Sequence, residues 1–531
     1  GHVQIQAIMD RLSKKEMDFV QSVWDYYDTF WEAVAAKEKR VSGVAPTKVE
    51  PLPVYTKHGT YRGGYHPIKF SPERSNEAFK HMISAAEETG KLGAFGRGMT
   101  KRDHAKERVE GEVNIAMRLD LDVVFEHVTE VIQDLAFHEY LIDAGRILNH
   151  EDFHAAVVTK YNDAIFAQLK ATTADVALGE VPVEGAMNHA FGYIRHGSTI
   201  SSLAMNLGTM LLQPIGLTQS IVRIGPKWVA RGFARWIRGP EGMQNALDFI
   251  QERSESMVGR KDNTNREVNE LRNKVHRAGV TSELRGQMGD HYFILIAKAQ
   301  LIADIPTWLG MYEKIMEEGV NGVQVDEEMA ISLADSAVKD AQGAGDMMDR
   351  AGVQKGSEAW KMFTNFYSFF NVLYNLTADS VHRTNFKSPG SIGLLAVDMM
   401  LLYWLPATLG FLLREALIRG ECEHGTDLVC VAKKSVTETL SYMMGAMVGL
   451  RELGGAVSGA WGYSGPAGSR FFSAATRLIQ QAKQGESDEA LWKAAGETFG
   501  ILFHVPGVQA ERTMRAIANG DWTRLFGEPK D

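Results

Sequence analysis

A chain of 531 residues with 45% hydrophobic and 23% charged residues has ample apolar material for packed cores, which excludes extensive disorder. A net charge of −9 excludes a protein that is basic throughout, the usual footprint of a dedicated nucleic-acid binder. Two cysteines, Cys422 and Cys430, exclude a disulfide scaffold; they read as two loop thiols, with a disulfide open to them only outside the cytoplasm.

Gly1-His2 reads as the scar of a cleaved purification tag, and the charged segment after it is no signal peptide. Ile8, Leu12, Phe19 and Val23 fall near helical spacing, so Val3 to Lys37 is predicted as one long helix. Val44 to Phe70 holds four prolines and three tyrosines among glycines, and is the one place where strands are expected. Ser75 to Leu92 returns to helix, and Gly93 to Thr100 is a glycine-rich turn. Beyond Asp122 an apolar stripe runs Val124, Val128, Val131, Leu135, His138, Ile142, with His138 read as a hydrogen-bonded core histidine. Further helices are predicted over Asp152 to Ala171, Asn263 to Ala278, Ser282 to Ile305 and Thr307 to Glu318, with Pro306 breaking or kinking the last join. Asp326 to Gln342 has acids at its start and Gly343 at its end. Ala359 to Ala378 is aromatic-rich, which reads as core packing.

These elements predict an all-α, bundle-like fold with a small irregular or hairpin region at residues 44–70. Four regions are expected: 1–100, 101–260, 261–385 and 386–531. Three stretches carry little charge. Ser391 to Leu413 is long enough for a membrane span and contains a single charge, Asp398, and one proline, Pro406. Gly197 to Val222 is uncharged but studded with Ser, Thr, Asn and Gln, and Leu440 to Gly468 is rich in Gly, Ala and Met. Burial inside a helical domain is the expectation for all three, with later exposure to a bilayer compatible with it. After the uncharged run comes a basic amphipathic segment opened by Pro226. Lys227, Arg231, Arg235 and Arg238 lie with Trp228 and Trp236, as in a helix that meets anionic lipid.

Candidate chemistry is sparse. His150-Glu151-Asp152-Phe153-His154 is formally an H-E-x-x-H zinc motif, but Asn149 ends one helix and Glu151-Asp152 begin the next. That places His150 and His154 astride a helix start, and the match is read as coincidence. Cys422, His424 and Cys430 fit no standard zinc module, and Gly93 to Gly98 lacks the strand and Lys-Ser/Thr pair of a P-loop. No catalytic residue, cofactor, metal or small-molecule substrate is predicted.

Several blocks carry a resemblance. They are Gly63-Gly64-Tyr65-His66-Pro67-Ile68, Leu119 to Leu148, and Asn206 to Gly225 with its Leu212-Gln213-Pro214 and Gly216-Leu217-Thr218-Gln219-Ser220. Ser254 to Glu267, Asp304 to Trp308, Ala334 to Gly345 and Phe366 to Asn375 follow in order, with a weaker block at Val505-Pro506-Gly507-Val508-Gln509. The chain resembles helical regions of the large polyvalent proteins and internal virion, or ejection, proteins of tailed phages. The resemblance implies a structural virion protein delivered into the host to help the genome across the envelope, acting as a homo-oligomer or with other virion proteins, at the host membrane or on DNA. It would sit in the virion, then in the host periplasm, inner membrane or cytoplasm. The alternative is an injected cytoplasmic factor that binds a host protein or DNA; a zinc hydrolase ranks below both.

Overall fold

The structure, a computed structural model, describes residues 11–48, 51–67, 122–178, 186–203, 207–260, 294–345, 349–354, 358–364, 367–418, 428–445 and 489–503, with a few short stretches besides. Among the described residues the fold is all-α apart from one two-stranded hairpin. The chain forms two compact units, Gly1–Val181 with Arg277–Thr281, and Pro182–His276 with Ser282–Asp531. Helices on either side of residue 260 share one core in the second unit.

In the first unit, α1 (Lys14–Asp28) starts at Ser13, whose hydroxyl accepts from the Glu16 amide while Glu16 reaches back to the Ser13 amide. This capping box satisfies two of the free donors at the helix start. The helix stops at Thr29, and α2 (Trp31–Ser42) follows, ending at Gly43 in the left-handed region. The single helix expected to Lys37 is therefore two. Strands β1 (Val54–Thr56) and β2 (Gly59–Tyr61) pair antiparallel, as the Pro/Gly/Tyr composition predicts. Tyr61 donates to Asp18, and Gln21 exchanges two hydrogen bonds with the Gly63 backbone, seating the hairpin on α1. Gly64 is needed there: a Cβ would lie 2.3 Å from the Trp24 side chain.

Helix α3 (Asp122–Leu148) buries Val123, His127, Val131, Asp134, His138, Leu141 and Leu148. The buried line runs beside the predicted apolar stripe and recruits three polar residues. Helices α4 (Glu151–Lys160) and α5 (Asp163–Leu178) divide at Tyr161-Asn162, where the Asn162 side-chain oxygen Oδ1 accepts from the Ile165 amide and caps α5. The predicted helix from Asp152 to Ala171 is thus interrupted by a new N-cap.

The second unit comprises α6 (Ala186–Leu203), α7 (Leu207–Leu212), α8 (Leu217–Ile224), α9 (Pro226–Trp236), α10 (Pro240–Gln251), α11 (Glu255–Gly259), α12 (Ile294–Glu318), α13 (Glu327–Gln342), α14 (Glu358–Phe363) and α15 (Tyr367–Arg383). It continues with α16 (Pro389–Met399), a π turn at Met400–Trp404, α17 (Leu405–Ile418), α18 (Leu428–Gly445) and α19 (Glu489–Phe503). Its main core sits around α12, with Ile305, Trp308, Leu309, Met311 and Ile315 packed against Ile224, Trp228 and Val229 and against Ala330, Ala334 and Ala337 of α13. Pro306 lies inside α12 without ending it. Two glycines bring α9 and α12 backbone to backbone: a Cβ on Gly232 would meet the Pro306 carbonyl at 2.1 Å, and one on Gly310 the Trp228 carbonyl at 2.4 Å. Packing of this closeness outweighs the hydrogen bond that proline removes.

A polar seam crosses the same core. Asp304 and Arg260 form a buried ion pair at 3.0 Å, and Arg260 also donates to the Gly343 carbonyl. Gln300 donates to Asp304 and Gln342, and Gln342 donates to the Gly216 carbonyl and the Ser220 hydroxyl. Trp308 and Ser254 both donate to Asp335. This explains why much of the uncharged Gly197 to Val222 run is buried while carrying so many amides and hydroxyls: Thr218, Gln219 and Ser220 are inside. Helix α13 starts at Asp326, which caps the Met329 amide, and ends at Gly343, as its termini predict. The aromatic-rich segment is split between α14 and α15; Tyr367 is buried, whereas Phe369 and Tyr374 reach the surface. The expectations for Ser75 to Leu92, Gly93 to Thr100, Asn263 to Ala278 and most of Leu440 to Gly468 lie outside the described residues.

Candidate membrane-facing surface

The low-charge segment at Ser391 to Leu413 becomes a continuous helical run, Pro389–Leu413, with a mean hydropathy of 1.7 over its most apolar window. Pro389 suits a first helical turn, where its missing N–H costs nothing. Pro406 cannot donate to the Leu402 carbonyl, and the wider π turn at Met400–Trp404 lies just ahead of it. At 1.5 Å per residue the run is about 37 Å long, against a hydrocarbon core of about 30 Å.

Burial departs from the expectation. Only 22% of that window is buried, and no residue of α16 is. Leu394 is 69% exposed, and Ile392, Val397, Met400, Trp404, Leu409 and Leu412 are exposed as well. The inner side is narrow: Leu402, Tyr403 and Ala407 pack with Val222, Val372, Leu373, Leu376 and Tyr442. Burial holds the Tyr442 phenol well above its ordinary range. Exposed apolar residues recur on the neighbouring helices, at Phe369, Tyr374 and Val381 of α15 and at Val436, Leu440 and Met443 of α18.

Polar contacts tie the run to its neighbours. Asp398 faces Arg383 of α15 at 3.7 Å, and Arg383 also meets Asp379 at 3.3 Å. The Tyr403 and Thr377 hydroxyls lie 2.7 Å apart, and Thr408 bonds Ser435 of α18.

The basic amphipathic helix forms at α9, but its charges are internally matched. Lys227 lies 3.6 Å from Glu317 and 3.8 Å from Glu318, and Arg231 pairs with Glu313 and Glu317. Arg235 lies 3.2 Å from Glu313. The Arg231 hydrogen bond holds the Glu317 carboxyl below its ordinary range, and Glu317 raises Arg231 in return. Trp228, expected at a lipid contact, is instead buried in the core, with Lys227 and Arg231 over its ring. Trp236 is half-buried against the same core, and Arg238 is exposed with no ion pair among the described residues. The sequence could not show Glu313, Glu317 and Glu318 as partners, because they lie some eighty residues further on.

His150 occupies the N-cap of α4 in extended conformation. It lies 3.8 Å from Asp152, whereas His154 lies 3.8 Å from Asp163 and packs edge-on against Phe166. The two rings thus serve different partners, and a mid-helix H-E-x-x-H geometry is not formed. Cys430 is disulfide-bonded, with Cys422 the chain's other cysteine, which corrects the reading as loop thiols.

Among the described residues, one group of Asp, Glu and His donors converges closely enough for a metal: Glu38, Asp134 and His138, within 4.8 Å of one another and buried. The Lys37 ammonium already stands among them, 2.8 Å from Glu38, 3.1 Å from His138 Nδ1 and in contact with Asp134. A lysine in that position makes the cluster an ion network joining α2 to α3. Compared with protein-family models, curated proteins and solved structures, the chain gives no match.

Proposed function

We propose that this chain is a helical structural protein that engages a lipid bilayer through Pro389–Leu413, in the setting of a tailed-phage internal virion protein delivered at infection. The observation that carries the reading is the exposure of an apolar helix long enough to span a bilayer, with seven large apolar side chains turned to the surface. A soluble helix normally turns such a stripe inward. The setting comes from the sequence resemblance. It is supported by the Cys430 disulfide, which fits a protein working in the virion or periplasm rather than in a reducing cytoplasm. Partners in this reading are further copies of the chain or other virion proteins, and the host membrane. It assigns no catalytic residue and no cofactor.

Co-flotation with vesicles tests it. Purified protein should float with vesicles containing anionic lipid, and a Leu394→Asn/Val397→Asn variant should float at least about tenfold less, because the apolar contact area is lost. Wild-type protein that stays at the bottom of the gradient at every salt and lipid composition would sink the reading. It would favour instead an injected factor that uses the same apolar face to bind a host protein.

A further inference from the structure

Within Pro389–Leu413 the two halves are held differently. The half beyond Met399 has a buried inner side and two hydroxyl contacts, Tyr403 with Thr377 and Thr408 with Ser435. The half before it, α16, has no buried residue. Its one ionic tie among the described residues is Asp398 to Arg383. Among the described residues, the Ser391 hydroxyl bonds the nearby Asn385 amide. The π turn divides the halves.

Resting on the membrane reading above, we propose that Asp398 gates insertion. Paired with Arg383, the carboxylate keeps α16 on the protein surface; without that charge, α16 tips into the bilayer while α17 stays packed. The physics is a matter of one group. Asp398 is the sole Asp, Glu, Lys or Arg of the run. A carboxylate carried into hydrocarbon is among the costliest side chains to insert, and the neutral acid is far cheaper. The charged and titratable groups on the helix packed against α16 are Arg383, which faces Asp398, Asp379, which holds the other side of Arg383, and His382, which is exposed. Helix α18 packs further along, against the π turn and α17.

The test separates binding from insertion. Vesicles carrying bound protein are collected by flotation, then extracted with alkaline carbonate, which strips surface-bound but not inserted protein. Wild type should float near neutral pH yet be largely stripped. Asp398→Asn should resist extraction about tenfold more. Arg383→Gln, which breaks the pair but keeps the carboxylate, should remain extractable near neutral pH. The pair is partly exposed and contributes little to folding, so both variants should melt as wild type does. If wild type floats but Asp398→Asn inserts no more than wild type, or Arg383→Gln inserts as readily as Asp398→Asn, the gate is wrong and the membrane reading stands. If no protein floats, both fall.

Discussion

Lys37 shows how one residue can decide the character of a cluster. Its side chain is 1% exposed, and it faces two buried carboxylates and a buried imidazole across α2 and α3. Removing the ammonium takes the cation from between two buried carboxylates, Glu38 and Asp134, which costs far more than the pair itself contributes. Lys37→Met should therefore destabilise the first unit by about 3–5 kcal/mol in urea unfolding. Adding Asp134→Asn to that variant should recover part of the loss, since one of the two neighbouring negative charges is then gone. A loss below about 1 kcal/mol for Lys37→Met would mean that water reaches the cluster. His138 was legible in the sequence as a core histidine, because it lies on the apolar stripe of α3. Asp134 was not, because an acid beside such a stripe is normally a solvated flank, and its partner sits 97 positions away in the chain.

At the scale of elements, local signals were legible and distant ones were not. Asp326 and Gly343 mark the ends of α13 because capping involves only neighbouring residues. Pro306 misleads as a helix breaker because the close contact made there comes from Gly232, seventy-four positions earlier. The same limit governs α9. Its periodic Lys227, Arg231 and Arg235 are plain in the sequence, whereas the matching row on α12 is visible only once the two helices are packed. That row makes a prediction about the helix as a unit. As it stands, three cations face Glu313, Glu317 and Glu318, and the surface offers little net attraction for anionic lipid. A Glu313→Gln/Glu317→Gln variant should bind anionic vesicles about tenfold more tightly at low salt, with the gain erased at about 0.5 M salt. Unchanged affinity would assign vesicle binding to the apolar run alone.

For the whole molecule, hydropathy identified the unusual segments, and packing determined their fates. Gly197 to Val222 and Ser391 to Leu413 look alike in lacking charge. The first is drawn into the core because its hydroxyls and amides find partners there, at Thr307 and Gln342. The second offers few such groups and stays largely outside. The stability of the first unit also carries a signature in alkali. Burial pushes the Tyr27 phenol up to about 12, against 10 in an ordinary setting. Between those values the unfolded chain releases the proton while the folded one keeps it. The folded state therefore binds more protons, and stability falls as pH rises through this window. Below pH 10 the contribution is fully present. Urea unfolding from pH 9 upward should show this decline, and Tyr27→Phe, which has no proton to lose, should make it shallower by about one proton's worth of slope. Identical slopes for the two proteins would mean that Tyr27 ionises while the fold is still intact, and that its ring is not sealed beneath His127 and Tyr65 as the structure has it.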